Sequence, residues 1–164
     1  MKILNRKFYA QDTVDVARNL LGKVLVFGDK QGTITEVEAY LGDDDPACHA
    51  FGRLTERKKI FFGPPGIAYV FLAYGMHWCF NVITEPVGKA GCVLIQGIND
   101  TFGPGRISKL FGFNGEHNGL DITSGPITIC EGSHDFDIEI TPRIGLSQAV
   151  DWPLRFVAKQ ANMI

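Results

Sequence analysis

Residues 69–73 and 76–84 form two long apolar runs separated only by Tyr74-Gly75. A glycine at a short break between strand-like runs is a hairpin signal, so the two runs are expected to pair antiparallel. The remaining apolar segments fit the same pattern. Those at 23–27, 33–40, 91–98, 127–130 and 154–159 are short and rich in Val, Ile and Leu, as strands are. Helix signals are few. Over 12–21, Asp12 is an N-cap, Val14, Val16, Ala17, Leu20 and Leu21 recur at helical spacing, and Gly22 is a stop. A second, short helix carries Ser108: Pro104 suits its first turn, Ile107, Leu110 and Phe111 make its apolar face, and Gly112 closes it. Asn114-Gly115 and Asn118-Gly119 read as turns. The pattern predicts a mixed, strand-rich α+β fold with few helices.

The 164 residues suit one domain spanning 1–164, with no repeat, low-complexity tract or linker-like composition shift. No apolar run approaches a membrane span, and the first residues lack an apolar signal region and cleavage site. The protein is therefore expected to work where it is made: the cytoplasm (nucleoid) of a prokaryote or the nucleus of a eukaryote. None of Cys48, Cys79, Cys92 and Cys130 lies at C-x-x-C spacing, which argues against structural zinc. Buried, reduced thiols are expected. Cys48 beside His49 is a poor nucleophile–base pair, because sequence neighbours rarely face each other.

A net charge of −2 argues against polyanion binding by the whole surface, but the charges are unevenly spread. Residues 36–45 hold five acids and no base; residues 53–59 then hold Arg53, Arg57, Lys58 and Lys59 against Glu56 alone. Arg106 and Lys109 form a second small basic cluster. Such runs are usually solvated faces.

Three places could carry chemistry. On a strand over 33–40, Glu36, Glu38 and Tyr40 share one face while Val37 and Ala39 share the other. A carboxylate beside a ring there is either ordinary surface or a site where a base stacks beside a catalytic acid. Tyr74 falls at the hairpin apex, either folded back on a loop or exposed as a wedge that enters a base stack. Asn81 interrupts an apolar strand, and Gln96 ends another; a buried amide must find partners or cost about 1–3 kcal/mol. Each either ties down backbone or lines a pocket. His49, after the acidic loop, would by itself read as structural.

Taken in order, Glu36-Val-Glu38-Ala-Tyr40-Leu-Gly42, Asp45-Pro-Ala-Cys-His49, Gly63-Pro-Pro-Gly66 and Tyr69-Val-Phe-Leu-Ala-Tyr74-Gly-Met76 resemble the alkyladenine (3-methyladenine) DNA glycosylase family. The resemblance continues through Cys79-Phe-Asn81-Val, Gly103-Pro-Gly-Arg106, Asn118-Gly-Leu-Asp121, Arg143-Ile-Gly145 and Pro153-Leu-Arg-Phe156, and so covers nearly the whole chain. It implies a single compact domain on a curved antiparallel sheet, with a hairpin that inserts into DNA. It implies no metal and no cofactor, double-stranded DNA with damaged purines as the partner, and a monomer. Glu38 matches the general base that holds the attacking water. Tyr40, His49 and Phe71 match the rings around the flipped base, and the His49 backbone amide reads its edge. Asn81 matches the residue that crowds the purine 2-position, and Tyr74, with Met76 beside it, matches the wedge. Arg57, Arg106 and Lys109 are the expected phosphate contacts, and their binding should weaken with salt.

The chain departs from the family at three places. Gln96 stands where many members have an arginine that helps place the water and anchors a phosphate; an amide brings neither charge nor bidentate fork. Thr55-Glu56-Arg57-Lys58 replaces a T-x-R-N segment, with Glu56 where proline is common. Phe71 lacks the hydroxyl of the usual tyrosine. The expected activity is removal of alkylated or deaminated purines (3-methyladenine, 7-methylguanine, hypoxanthine, ethenoadenine) without lyase chemistry, since no strand position supplies a desolvated lysine. The competing readings are a damage-recognising module weakened by Gln96, and a hydrolase of free nucleosides, for which the Tyr74 wedge would serve no purpose.

Overall fold

A computed structural model describes residues 1–160 of the chain. It contains α1 (Arg6–Tyr9), α2 (Thr13–Leu20), β1 (Val24–Phe27), β2 (Lys30–Tyr40), β3 (Ala68–Ala73), β4 (His77–Ile83), β5 (Cys92–Ile98), β6 (Thr101–Phe102), α3 (Pro104–Phe111), β7 (Ile127–Cys130), β8 (Phe136–Thr141) and β9 (Arg155–Gln160). Short 3₁₀ turns cover Gly42–Asp44, Glu56–Phe62 and Gly115–His117. This is the α+β architecture read from the sequence, built on one curled antiparallel sheet.

The helices form for local reasons. The Asp12 carboxylate accepts from the N–H groups of Val14 and Asp15, at 3.0 and 3.3 Å, and so caps α2. That helix buries Val16, Ala17 and Leu20 against the sheet. Pro104 opens α3, and Gly112, at φ +83°, closes it by donating its N–H to the Ser108 carbonyl. Asn114 caps a 3₁₀ turn where a plain turn was expected.

The strand order is β3-β4-β5-β2-β1-β7, with β6 added to β5 and β9 lying between β2 and β8. The long strand β2 organises the rest. Its first residues pair with β1 (Thr33 opposite Val24), and its last pair with β5 on one edge and β9 on the other. Near Glu36 the β2–β5 register slips, a bulge that bends the strand. Gly97 faces this bulge, where a Cβ would stand 2.8 Å from the Glu36 Cβ, so no larger residue fits without displacement. Val37 and Ala39 enter the main core with Ile34, Phe80, Val93, Ile95 and Phe156. The opposite face of the same strand is left to build a cleft.

Three elements lack a clear signal: α1, only four residues long, β6, only two, and β8, which alternates Phe136, Ile138 and Ile140 with polar residues. Of the two readings left open for the acids of the 33–40 strand, ordinary surface is excluded. Glu36 and Glu38 are buried, as is Asp45, while Asp43 and Asp44 face solvent.

Candidate active site

Glu38 lies near the C-terminal end of β2 with 0% exposure. Its carboxylate is held at both oxygens: Oε1 accepts from the Tyr40 hydroxyl at 2.9 Å, and Oε2 accepts from the Ile144 N–H at 2.8 Å. Burial raises its pKa above the ordinary carboxylate value. The Ile144 N–H, the Tyr40 hydroxyl, the Gln96 amide and the Arg143 charge each offset part of that rise. A desolvated carboxylate with a raised pKa is a stronger base than a solvated one, and its two fixed donors hold it in one orientation.

A buried clamp stands behind this pair. Arg143 binds Asp45 in a fork, Nη1 to Oδ2 at 2.5 Å and Nη2 to Oδ1 at 3.0 Å, and donates a third bond to the Ala39 carbonyl at 3.1 Å. The Asp45 oxygens also accept from the N–H groups of Leu41 and Ala47, which shapes the loop leading to His49. The Arg143 guanidinium lies 4.8 Å from the Tyr40 ring centroid and 5.7 Å from that of Trp152. Neither Asp45 nor Arg143 was singled out as a site residue. Their signal in the sequence is only their place in the segments 45–49 and 143–145, since their meeting spans 98 residues of chain.

The cleft above Glu38 has a volume of about 1510 Å³. It is lined by Glu38, Tyr40, His49, Phe71, Asn81 and Gln96, all named from the sequence, with Arg57, Tyr74 and Arg106 at its margins. Lys109 and Met76 lie outside it, exposed. The His49 ring packs on Phe71, centroids 4.3 Å apart, and its Nδ1 lies 2.7 Å from the Tyr69 hydroxyl. Partial burial lowers the His49 pKa, helped by the nearby charges of Arg57 and Lys58. Asn81 is buried, donating Nδ2 to the carbonyls of Tyr69 and Cys79 and accepting from the Cys92 thiol at Oδ1. It thus both ties down backbone and lines the cleft.

All four cysteines are free and buried. Burial pushes the Cys79 thiol up to about 11, and His49 is turned to Tyr69 rather than to a thiol. Among the described residues, no three His, Cys, Asp or Glu side chains are grouped to hold a metal.

Tyr74 stands at the tip of the β3–β4 hairpin with 88% exposure, so the folded-back alternative is excluded. The turn is closed by the Met76 N–H on the Ala73 carbonyl, with Tyr74 at φ +53° and Gly75 at φ +66°. Positive φ at both central residues is the requirement of the tight hairpin turn whose twist matches its strands.

The sequence matches the profile of the Methylpurine-DNA glycosylase (MPG) family over residues 7–102 and 99–162. The chain belongs to this family. Its members are DNA glycosylases, hydrolases of N-glycosyl bonds in DNA. Among its relatives, a protein of Ehrlichia ruminantium (strain Welgevonden), provisionally named a 3-methyladenine DNA glycosylase, is 45% identical over 94% of this chain and 88% of its own. A relative of the same name from Legionella pneumophila (strain Lens) is 46% identical over 97% and 96%. One from Rhodopseudomonas palustris is 38% identical over 99% and 87%. These relatives are bacterial, and no described helix is long and apolar enough to cross a membrane. Within the family frame, the cleft, its buried glutamate and the exposed hairpin tip occupy one side of β2, β3 and β9.

Proposed function

We propose that this methylpurine-DNA glycosylase is a monofunctional enzyme that flips alkylated or deaminated purines out of duplex DNA and hydrolyses the N-glycosidic bond with a water activated by Glu38. The observation that carries this reading is the fixed, desolvated Glu38 carboxylate at the floor of an aromatic cleft whose rim bears the exposed Tyr74.

The target bond lies inside the base stack, so the nucleotide must leave it at a cost of a few kcal/mol. Tyr74 fills the gap, while stacking on Tyr40, His49 and Phe71, worth about 1–3 kcal/mol per base, offsets the cost. The C1′–N bond then breaks with its electron pair going to the purine. Positive charge grows at C1′, water adds its oxygen there, and its proton passes to Glu38. A purine already cationic through alkylation leaves neutral, so this chemistry asks least of the protein with such lesions. Hypoxanthine and ethenoadenine need a proton from solvent as they leave. Asn81, which lines the cleft, is assigned the part of crowding a substituent on the purine 2-position and so disfavouring guanine.

Among the described residues, the single lysine lining the cleft is Lys159, 57% exposed and paired with Glu139 at 3.1 Å. It lacks the desolvation that a Schiff-base nucleophile requires, which supports hydrolysis without strand cleavage.

The test is incubation with duplexes carrying one hypoxanthine or one ethenoadenine, followed by alkali, with Glu38→Gln as the control. Strand cleavage that disappears in E38Q is expected. Lesion binding without cleavage would instead make the protein a recognition module, and cleavage that survives E38Q would remove Glu38 from its role.

A further inference from the structure

We infer that a relay from Arg57 through Tyr69 holds His49 as the neutral imidazole with its proton on Nε2, and that this neutrality is what lets the cleft accept cationic purines. The inference rests on the proposed function, in that it takes a flipped purine to lie against His49.

The relay follows from counting donors. Arg57 Nη2 lies 3.4 Å from the Tyr69 hydroxyl oxygen, and arginine can only donate. Tyr69 Oη therefore accepts there, and its one proton is free to point elsewhere. His49 Nδ1 is 2.7 Å from the same oxygen, and the arrangement that also uses the Tyr69 proton directs its O–H at Nδ1, which then accepts. A neutral imidazole that accepts at Nδ1 carries its proton on Nε2. That atom makes no hydrogen bond among the described residues. Protonating Nδ1 would force Tyr69 to accept from both His49 and Arg57 and forfeit the bond it donates.

The setting favours the same state. Arg57 and Lys58, on the 3₁₀ turn Glu56–Phe62, present positive charge to the ring, and with Thr55 and Phe61 they close a small cavity of about 340 Å³ against His49 and Tyr69. From β3, the ring meets Tyr69 edge-on at 5.9 Å and Phe71 at 4.3 Å, and neither carries charge at neutral pH. On its own loop the neighbouring Cys48 is buried. From β2, Glu38 and Tyr40 line the same cleft, and the Glu38 charge is held by Tyr40 and Ile144.

The consequence concerns selection. A cationic imidazolium in the cleft wall would repel a cationic purine and leave a neutral one nearly unaffected. Arg57, whose sequence position suggested a phosphate contact, then has a positioning role, with Tyr69 as its intermediary.

Nitrogen-15 imidazole spectra of the whole protein, with the four histidines separated by use of His49→Gln, read the tautomer directly. Expected is a neutral Nε2–H form for His49 that persists to lower pH than for an unperturbed histidine, with Tyr69→Phe and Arg57→Gln each moving the titration upward. Excision of 7-methylguanine relative to hypoxanthine is then followed from neutral to mildly acidic pH. Because hypoxanthine takes a proton from solvent as it leaves, each variant is compared with the native protein at the same pH, and the ratio should fall by roughly fivefold or more below the native ratio as His49 gains its proton. A proton on Nδ1, a titration unmoved in both variants, or a titration that moves without changing the ratio would each overturn the inference. If the native protein excises neither lesion, the proposed function fails, and the selection claim with it. The spectra would then still decide the tautomer.

Discussion

The guanidinium of Arg143 lies 4.8 Å from the centroid of the Tyr40 ring while its fork is locked onto Asp45. Tyr40 donates to Glu38, and the residue after Arg143, Ile144, donates its N–H to the other Glu38 oxygen. One buried ion pair thus sets both donors that orient the carboxylate.

Asp45→Asn should therefore be costly in two ways. Both side chains of the pair are fully buried, so an uncompensated Arg143 should lower unfolding stability by about 3–5 kcal/mol. Urea unfolding measures this. Where enough folded protein survives at low temperature, single-turnover excision should fall too, because the Ile144 N–H and the Tyr40 ring are no longer fixed.

The raised pKa of Glu38 predicts a pH dependence with a definite sign. Since the folded state binds this proton more tightly than the unfolded chain, Glu38 costs no stability below the ordinary carboxylate pKa. Stability is lost as pH rises from there through the raised folded value. Glu38→Gln should accordingly raise the melting temperature at neutral pH while abolishing excision. Activity needs the ionised form, so the acidic limb of kcat/KM should lie above the ordinary carboxylate range. Tyr40→Phe deletes a hydrogen bond that lowers the pKa and should shift that limb further upward.

Tyr74→Ala should separate folding from function. The side chain is 88% exposed, so stability should change by no more than about 0.5 kcal/mol in a denaturant titration. Excision from duplex DNA should drop roughly tenfold or more through the lost stacking, with a smaller loss on single-stranded substrate.

Gln96→Arg should accelerate single-turnover excision. Gln96 lines the cleft with Glu36 and Glu38, and its own carbonyl is anchored by the Gly103 N–H at 2.8 Å, so an added guanidinium would meet carboxylates from a fixed backbone. An unchanged rate would show that the amide already suffices.

The parts of this structure that were legible in the sequence are those with local causes. Asp12 caps α2 through bonds to residues two and three positions on, and Tyr74-Gly75 turns a hairpin whose strands are adjacent in sequence. The alternation along β2 correctly put Glu36, Glu38 and Tyr40 on one face and Val37 with Ala39 on the other. What it could not reveal was that the polar face is buried. Glu38 is satisfied by Ile144, 106 residues away, and Glu36 by Arg155, 119 residues away. The strand β8 has a weak signal because its apolar side is only half covered. Motif order carried the cleft residues as a set, yet not how Arg57, Tyr69 and His49 hydrogen-bond.

The bulged strand β2 also predicts how the molecule breathes. Around Glu38 its backbone is laddered on both edges, to β5 and to β9, whereas the Tyr74 turn hangs beyond the last pair of its hairpin. Amide hydrogens beside the carboxylate should exchange with deuterium only when the whole domain unfolds, and those at the turn within moments. The reacting group would thus belong to the slowest-opening part of the protein, and the probing tip to the fastest. A lesion search would then flex the hairpin repeatedly without disturbing Glu38.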